Sequence, residues 1–248
     1  MSRIRNFLET SFIDWPGRVC AVIFLGGCNL RCPFCHNHPL VLSEESFPAL
    51  ALDDVLARLA RFKKWLGGVC ISGGEPTFVP ELPEMMKRLK DAGWRIKLDT
   101  NGTRPEVLSR LLRDDLLDMV SMDVKAPLDR EKYAHCAGTP VKLENLRKSL
   151  ALLRDAAPGY EFRMTVVPGF HSEEDIVQWA ADLAPYVADG KRCRLKLQNF
   201  NPKNTLDPAL ANEVPFSPDV FARWQNIASG AAKQKEKSVL VKNMLLIS

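Results

Sequence analysis

Short apolar runs and helical-period stretches alternate along the chain. Val19 to Leu25 is an unbroken apolar run and reads as a buried strand. Val69–Ser72, Arg95–Asp99, Met119–Asp123, Phe162–Val167 and Cys193–Gln198 predict five more. Between them, Leu52, Val55, Leu56 and Leu59 recur with the helical period. So do Leu82, Met85, Met86 and Leu89, then Leu143, Leu146, Leu150 and Leu153, then Ile176, Val177, Ala180 and Leu183. Asp53 and Asp54 suit a first helical turn, and Gly93 suits a helix end.

Strands that alternate with helices predict a parallel sheet of about six βα units. No G-x-G-x-x-G follows a strand, so the doubly wound alternative lacks its usual fingerprint. The expected fold class is α/β, and the alternative to a doubly wound sheet is a barrel or partial barrel. In such a fold the chemistry gathers just beyond the C-terminal strand ends. Those segments are Gly26–His38, Ser72–Thr77, Asp99–Gly102, Asp123–Ala126, Pro168–Phe170 and Gln198–Asn201, and they are rich in polar and special residues. One domain over residues 1–248 is expected, with a core over about 15–204 and an extension over 205–248. Pro215–Ser248 reads as one helix and a short strand, Val239–Lys242.

Composition narrows the classes. With 34 basic and 30 acidic residues, the net charge of +4 marks neither nucleic acid nor membrane as a partner. The start carries Glu9 and Asp14 and no apolar signal core, and no apolar run reaches a membrane span. A cytoplasmic protein is expected. There, seven cysteines are not a disulfide framework.

Three of the seven sit in Gly26-Gly-Cys28-Asn-Leu-Arg-Cys32-Pro-Phe-Cys35-His-Asn37, spaced C-x3-C-x2-C. Soft thiolates in so tight a loop suit an iron–sulfur cluster or zinc. For zinc, His36 or His38 would supply the fourth ligand. For a four-iron cluster, three cysteines leave one iron open, as a catalytic site requires. Cys20, Cys70, Cys136 and Cys193 are isolated and read as buried thiols.

This loop, with Phe34 before its last cysteine, resembles the radical S-adenosylmethionine superfamily. Ser11-Phe-Ile-Asp14-Trp-Pro-Gly-Arg18, followed by GGCNLRCPFCHN, resembles the glycyl-radical-enzyme activases. It is closest to those of anaerobic ribonucleoside-triphosphate reductase, with the pyruvate formate-lyase activases as near cousins. The resemblance runs from about Ser11 to Asn204. It implies a partial (βα)6 TIM-like barrel, a [4Fe-4S] cluster on Cys28, Cys32 and Cys35, and S-adenosylmethionine on its open iron. It implies cleavage to a 5′-deoxyadenosyl radical that takes hydrogen from a glycine of a partner enzyme, with flavodoxin or ferredoxin as electron donor.

The same resemblance assigns further residues. Gly73, Gly74 and Glu75 would bind the cofactor's amino group through the backbone. Asp123 and Lys125 would contact it, and Arg163 would face the site. Phe34, His36 and Asn37 would edge the adenine. Asn201 stands where the pyruvate formate-lyase activases have a histidine. Asp99 and Asp123, with Thr100 and Met122 through carbonyl oxygens, would hold a monovalent cation, Na+ or K+. The residues themselves leave bland alternatives open: a strand-to-helix turn at the glycines, solvated caps at the aspartates, a solvent-edge arginine at 163. Lys191, Arg192, Arg194 and Lys196 read as a solvated edge. A radical enzyme acting on a small molecule, and a zinc-binding interaction module, remain as alternatives.

Overall fold

A computed structural model describes residues 3–187 and 193–230. It contains seven strands: β1 (Ile4–Ser11), β2 (Cys20–Leu25), β3 (Gly68–Gly73), β4 (Ile96–Thr100), β5 (Met119–Asp123), β6 (Tyr160–Val166) and β7 (Cys193–Asn199). They form one sheet in sequential order. β1 runs antiparallel to β2, and every later pair is parallel. A doubly wound sheet reverses its order at a switch point. This one does not, so the barrel-like expectation holds and the six expected strands are all present.

The connecting helices are α1 (His38–Leu42), α2 (Leu52–Ala60), α3 (Leu82–Asp91), α4 (Pro105–Arg113), α5 (Arg130–Ala137), α6 (Leu143–Ala156) and α7 (Glu173–Leu183). The helix-facing side of the sheet joins the main core, with Ala21, Ile23, Val69, Ile71, Ile96, Leu98 and Val120 fully buried. The opposite side packs a smaller cluster of Trp15, Cys20, Val22 and Cys70, against Phe24 and Met119. Alternate strand positions therefore serve two interiors.

Two features depart from the expected elements. β1 was not anticipated: register shifts at both ends break the period-two pattern that marks a strand. α1, α4 and α5 were also not anticipated, although Leu40 and Val41 are buried beneath the first, Leu108 and Leu111 beneath the second, and Tyr133 and Cys136 beneath the third.

Residues 218–230 are helical, as the sequence predicts for that stretch. The Gln225 side chain donates to Leu195 O (3.0 Å) and accepts from Leu197 N (2.8 Å). It thereby occupies backbone groups of β7, which no other strand among the described residues pairs on that side. The expected strand Val239–Lys242, and Lys191 and Arg192, lie outside the described residues. Arg194 is exposed, as a solvated edge requires.

Candidate active site

A cavity of about 520 Å³ opens at the C-terminal ends of the parallel strands. Cys28, Cys32 and Cys35 form one wall, and Asp99, Asp123, Lys125 and Arg163 lie across from them. The cysteine loop connects β2 to α1 and is tied down along its length. Gly27 N donates to Leu40 O (2.8 Å), Arg31 N to Ala137 O (2.9 Å), and Asp207 N to Pro33 O (2.8 Å). The second contact needs Gly138, at φ +65°, because a Cβ there would lie 2.0 Å from Arg31 O. Burial raises the thiols above their ordinary range, Cys28 to about 11 and Cys32 to about 12. They hold their protons until a metal displaces them. Leu30 N points at Cys28 Sγ (3.4 Å).

The Ser72-Gly-Gly-Glu-Pro76 segment ends β3 against this loop. A Cβ on Gly74 would sit 1.9 Å from Gly27 O, so only glycine permits the approach. Gly74 N donates to Leu25 O and Glu75 N to Gly27 O, both at 2.8 Å. Gly73 O accepts from Asn37 Nδ2 (2.7 Å), which leaves it a lone pair for a cationic amine. The Glu75 carboxylate is buried and bonds Thr77 N (3.0 Å), Thr100 Oγ1 (2.7 Å) and Asn101 N (2.7 Å). It ties two strand ends together. Asn101 in turn donates to Asn29 Oδ1 (2.9 Å) and stands 3.9 Å from Cys28 Sγ.

The far wall is a row of alternating charges. Asp123 accepts from Arg163 Nε (2.9 Å) and Lys125 Nζ (3.1 Å). Arg163 also reaches Asp99 Oδ2 (3.4 Å) and Glu161 Oε1 (3.9 Å), and Lys97 Nζ bonds Asp99 Oδ1. Three carboxylates thus face three cations. Burial pushes Asp123 up, but Arg163 and Lys125 hold it well below the usual carboxylate range. Burial opposes the charge on Lys125, yet Asp123 keeps it above the ordinary lysine value. Asp123 and Lys125 stay ionised, and the members of the row fix one another's positions.

The Asp123–Lys125 backbone is clamped from outside the barrel. Val124 O accepts from Trp179 Nε1 (3.1 Å), Lys125 N donates to Tyr133 Oη (3.3 Å), and His171 Nε2 bonds Lys125 O (2.9 Å). Val167 N donates to His171 Nδ1 (3.1 Å), which fixes the neutral Nε2–H tautomer. Burial lowers the His171 pKa, so folding favours the neutral ring. That stabilisation is complete above the ordinary histidine pKa of about 6.5 and is lost as pH falls below it. The urea midpoint of the metal-free protein should therefore drop between about pH 7.5 and 5.5. The drop should be shallower in His171→Gln, measured anaerobically by circular dichroism; equal slopes would contradict the burial of a neutral ring.

Of the residues expected at the site, the cavity gathers Cys28, Cys32, Phe34, Cys35, His36, Asn37, Gly73, Gly74, Glu75, Asp99, Thr100, Asp123, Lys125 and Arg163. Asn201 is not on its wall. The chain turns at buried Phe200, so Asn201 faces solvent, and its Oδ1 accepts from Lys203 N (3.1 Å). Gln198, on β7, lines the cavity instead. The Met122 side chain is buried against Gly102. His36 and His38, the candidate fourth zinc ligands, turn Nε2 to Asn201 O (2.8 Å) and Asn204 Oδ1 (3.2 Å). The sequence reading placed Ser72, Asn101 and Gln198 in strand-end segments without giving them a role, and it missed Thr165 on the cavity and Lys97 and Glu161 beneath it. It also missed the clamp of Tyr133, His171 and Trp179.

The profile of the Radical SAM superfamily matches residues 22–182. A Methanocaldococcus jannaschii protein, provisionally named a glycyl-radical enzyme activating enzyme, is 34% identical over 208 residues and 82% of each chain. The pyruvate formate-lyase-activating enzyme of Clostridium pasteurianum is 34% identical over 130 residues, 50% of this chain and 53% of that one. Streptococcus suis SuiB bound to precursor peptide SuiA superposes with a TM-score of 0.65 at 16% identity. That likeness speaks to fold alone; it covers 87% of this chain and 46% of the longer SuiB chain. No helix among the described residues is long and apolar enough to cross a membrane. The cysteine loop at the mouth of a sequentially ordered parallel sheet, and a profile match spanning most of the chain, give one answer: this chain belongs to the radical SAM superfamily.

Proposed function

We propose that this chain is a glycyl-radical-enzyme activase whose partner is an anaerobic ribonucleoside-triphosphate reductase. Membership of the superfamily brings a [4Fe-4S] cluster and S-adenosylmethionine with it. The donor set fits both. Three thiols share a cavity with a row of fixed charges, and no other feature of the described residues offers that combination. When bound, the pair would supply the hard chemistry, a one-electron reductive cleavage of the cofactor's S–C5′ bond that serves removal of a glycine Cα hydrogen.

The chain's own residues bind, orient and exclude water. Cys28, Cys32 and Cys35 hold the cluster. Lys125 and Arg163 suit a carboxylate, Asp123 suits a cationic centre, and the Gly73 carbonyl suits an amino group. Phe34 and Asn37 flank the space left for an adenine. Phe34 is held edge-on by Phe170, with ring centroids 5.9 Å apart. The observation that carries a protein substrate lies at the rim. Phe12 and Ile13 stand 78% and 84% exposed in the segment leading to Asp14, and Ile13 and Asp14 line the cavity mouth. Apolar side chains beside a catalytic mouth suit a docking protein. The reading also needs a reduced, oxygen-free compartment such as the cytoplasm, and a flavodoxin or ferredoxin as donor.

The test mixes reduced holoenzyme, S-adenosylmethionine and the candidate reductase without oxygen, followed by electron paramagnetic resonance. A doublet on the partner that collapses with α-deuterated glycine is the expected result. Steady 5′-deoxyadenosine formation coupled to a small molecule, with no radical on any partner, would favour a metabolite substrate instead.

A further inference from the structure

Asp99 and Asp123 are the carboxylates that the resemblance assigns to an alkali-metal ion, yet all four of their oxygens face donors already. Asp99 Oδ1 accepts from Lys97 Nζ. Asp99 Oδ2 accepts from Ser72 Oγ (3.2 Å) and meets the Arg163 guanidinium (3.4 Å). Asp123 Oδ1 accepts from Arg163 Nε (2.9 Å), and its Oδ2 from Lys125 Nζ (3.1 Å). Arg163 and Lys125 have an evident place opposite a carboxylate-bearing ligand. Lys97 has none.

Lys97 is 0% exposed in the middle of β4, and in register it lies between Cys70 of β3 and Met119 of β5. Lysine is almost never fully buried unless paired. The other group near Nζ is Cys70 Sγ (3.8 Å), a weak acceptor, so Asp99 is its main partner. An ammonium and an alkali ion carry the same charge and seek the same oxygens. Shielded from water, the two repel, so an ion on the carboxylate that Lys97 already pairs is strongly disfavoured. The residues expected to hold an ion therefore do not fit one.

We propose that the Lys97 ammonium is a built-in cation that takes the place of the alkali-metal ion at the Asp99–Asp123 pair, so that this site works without one. The proposal rests on the cofactor reading of the cavity for one of its two readouts only.

The first readout is ion binding, followed by the line width of ²³Na resonance in the anaerobically purified full chain, whether or not it carries a cluster. Wild type should show no saturable broadening that K+ displaces, and Lys97→Met should show it. The second is S-adenosylmethionine cleavage under photoreduction in choline buffer, against the same buffer with K+. Wild-type rates should agree within about twofold, whereas Lys97→Met should lose at least about tenfold in choline and recover it with K+. Saturable, K+-displaceable sodium binding by wild type would overturn the assignment, as would a fivefold or greater dependence of its rate on K+. Both of those arms use wild type alone and stand even if Lys97→Met does not fold. A Lys97→Met protein that folds, cleaves the cofactor at the wild-type rate and ignores K+ would also overturn it. If no cleavage occurs in any buffer, the cofactor reading fails, and the sodium measurement still decides the role of Lys97.

Discussion

Replacing Cys32 with serine should strip the reconstituted protein of its iron, with iron and sulfide per chain falling at least about fivefold. Cys32 is the middle thiol of the loop and the most buried of the three, at 8% exposure. A hydroxyl is a harder and much less acidic ligand than a thiol, so it does not replace a thiolate on iron. The backbone of the loop should survive the change, because its anchors are main-chain bonds at Gly27, Arg31 and Pro33. Cys28→Ser and Cys35→Ser should behave alike. Cys20→Ser and Cys193→Ser are the controls. Both thiols are buried away from the cavity, and a hydroxyl there should cost roughly 1–3 kcal/mol of stability while leaving iron content unchanged. Full iron retention in Cys32→Ser, measured after anaerobic desalting, would remove the cluster from this loop.

Lys125→Ala should separate cluster from cofactor. The iron should stay, because Lys125 lies on a different strand end and bonds no cysteine-loop atom. Its backbone should also stay, because Tyr133, His171 and Trp179 hold it independently of the side chain. What disappears is the ammonium beside Asp123 (3.1 Å). A charge-assisted bond to a carboxylate-bearing ligand would go with it. The expected loss is about a hundredfold in kcat/KM for S-adenosylmethionine cleavage, or ~2.7 kcal/mol. Titration calorimetry and 5′-deoxyadenosine formation would read it. Wild-type values in both would move Lys125 out of the site.

The parts of the site that were legible in sequence are those whose chemistry is local. Three cysteines within eight residues announce themselves, and so do the glycines and aspartates that end strands. The inner wall was less visible, although a signal existed. Lys97 and Asp99 alternate with Ile96 and Leu98, and Glu161, Arg163 and Thr165 alternate with Tyr160, Phe162, Met164 and Val166. Polar residues at every second position of an otherwise apolar strand mark a face turned to a polar interior. The clamp on Asp123–Lys125 had no such signal. Tyr133, His171 and Trp179 act on backbone atoms, and nothing in the sequence says which carbonyl a buried ring will meet. Asn201 stands off the cavity wall for a related reason: a strand's end in sequence does not fix which way the next turn points. β1 stayed hidden because its bulges erase the alternation that strands are read by.

The sequential strand order has a consequence for assembly on the ribosome. Each parallel strand pairs with the one made just before it, so the sheet can grow outward from β2 as the chain emerges. The thiols of the β2–α1 loop are made early. The wall opposite them needs Arg163 of β6, Gln198 needs β7, and the edge of β7 is covered only once Gln225 has arrived. At ordinary translation speeds, roughly 10–30 s separate the first cysteine from the last cavity-lining residue. For that interval three soft ligands wait on an unfinished scaffold, open to oxidants and stray metals. Any machinery that delivers iron and sulfide would do best to act late, after β7 and the helix over residues 218–230 have docked.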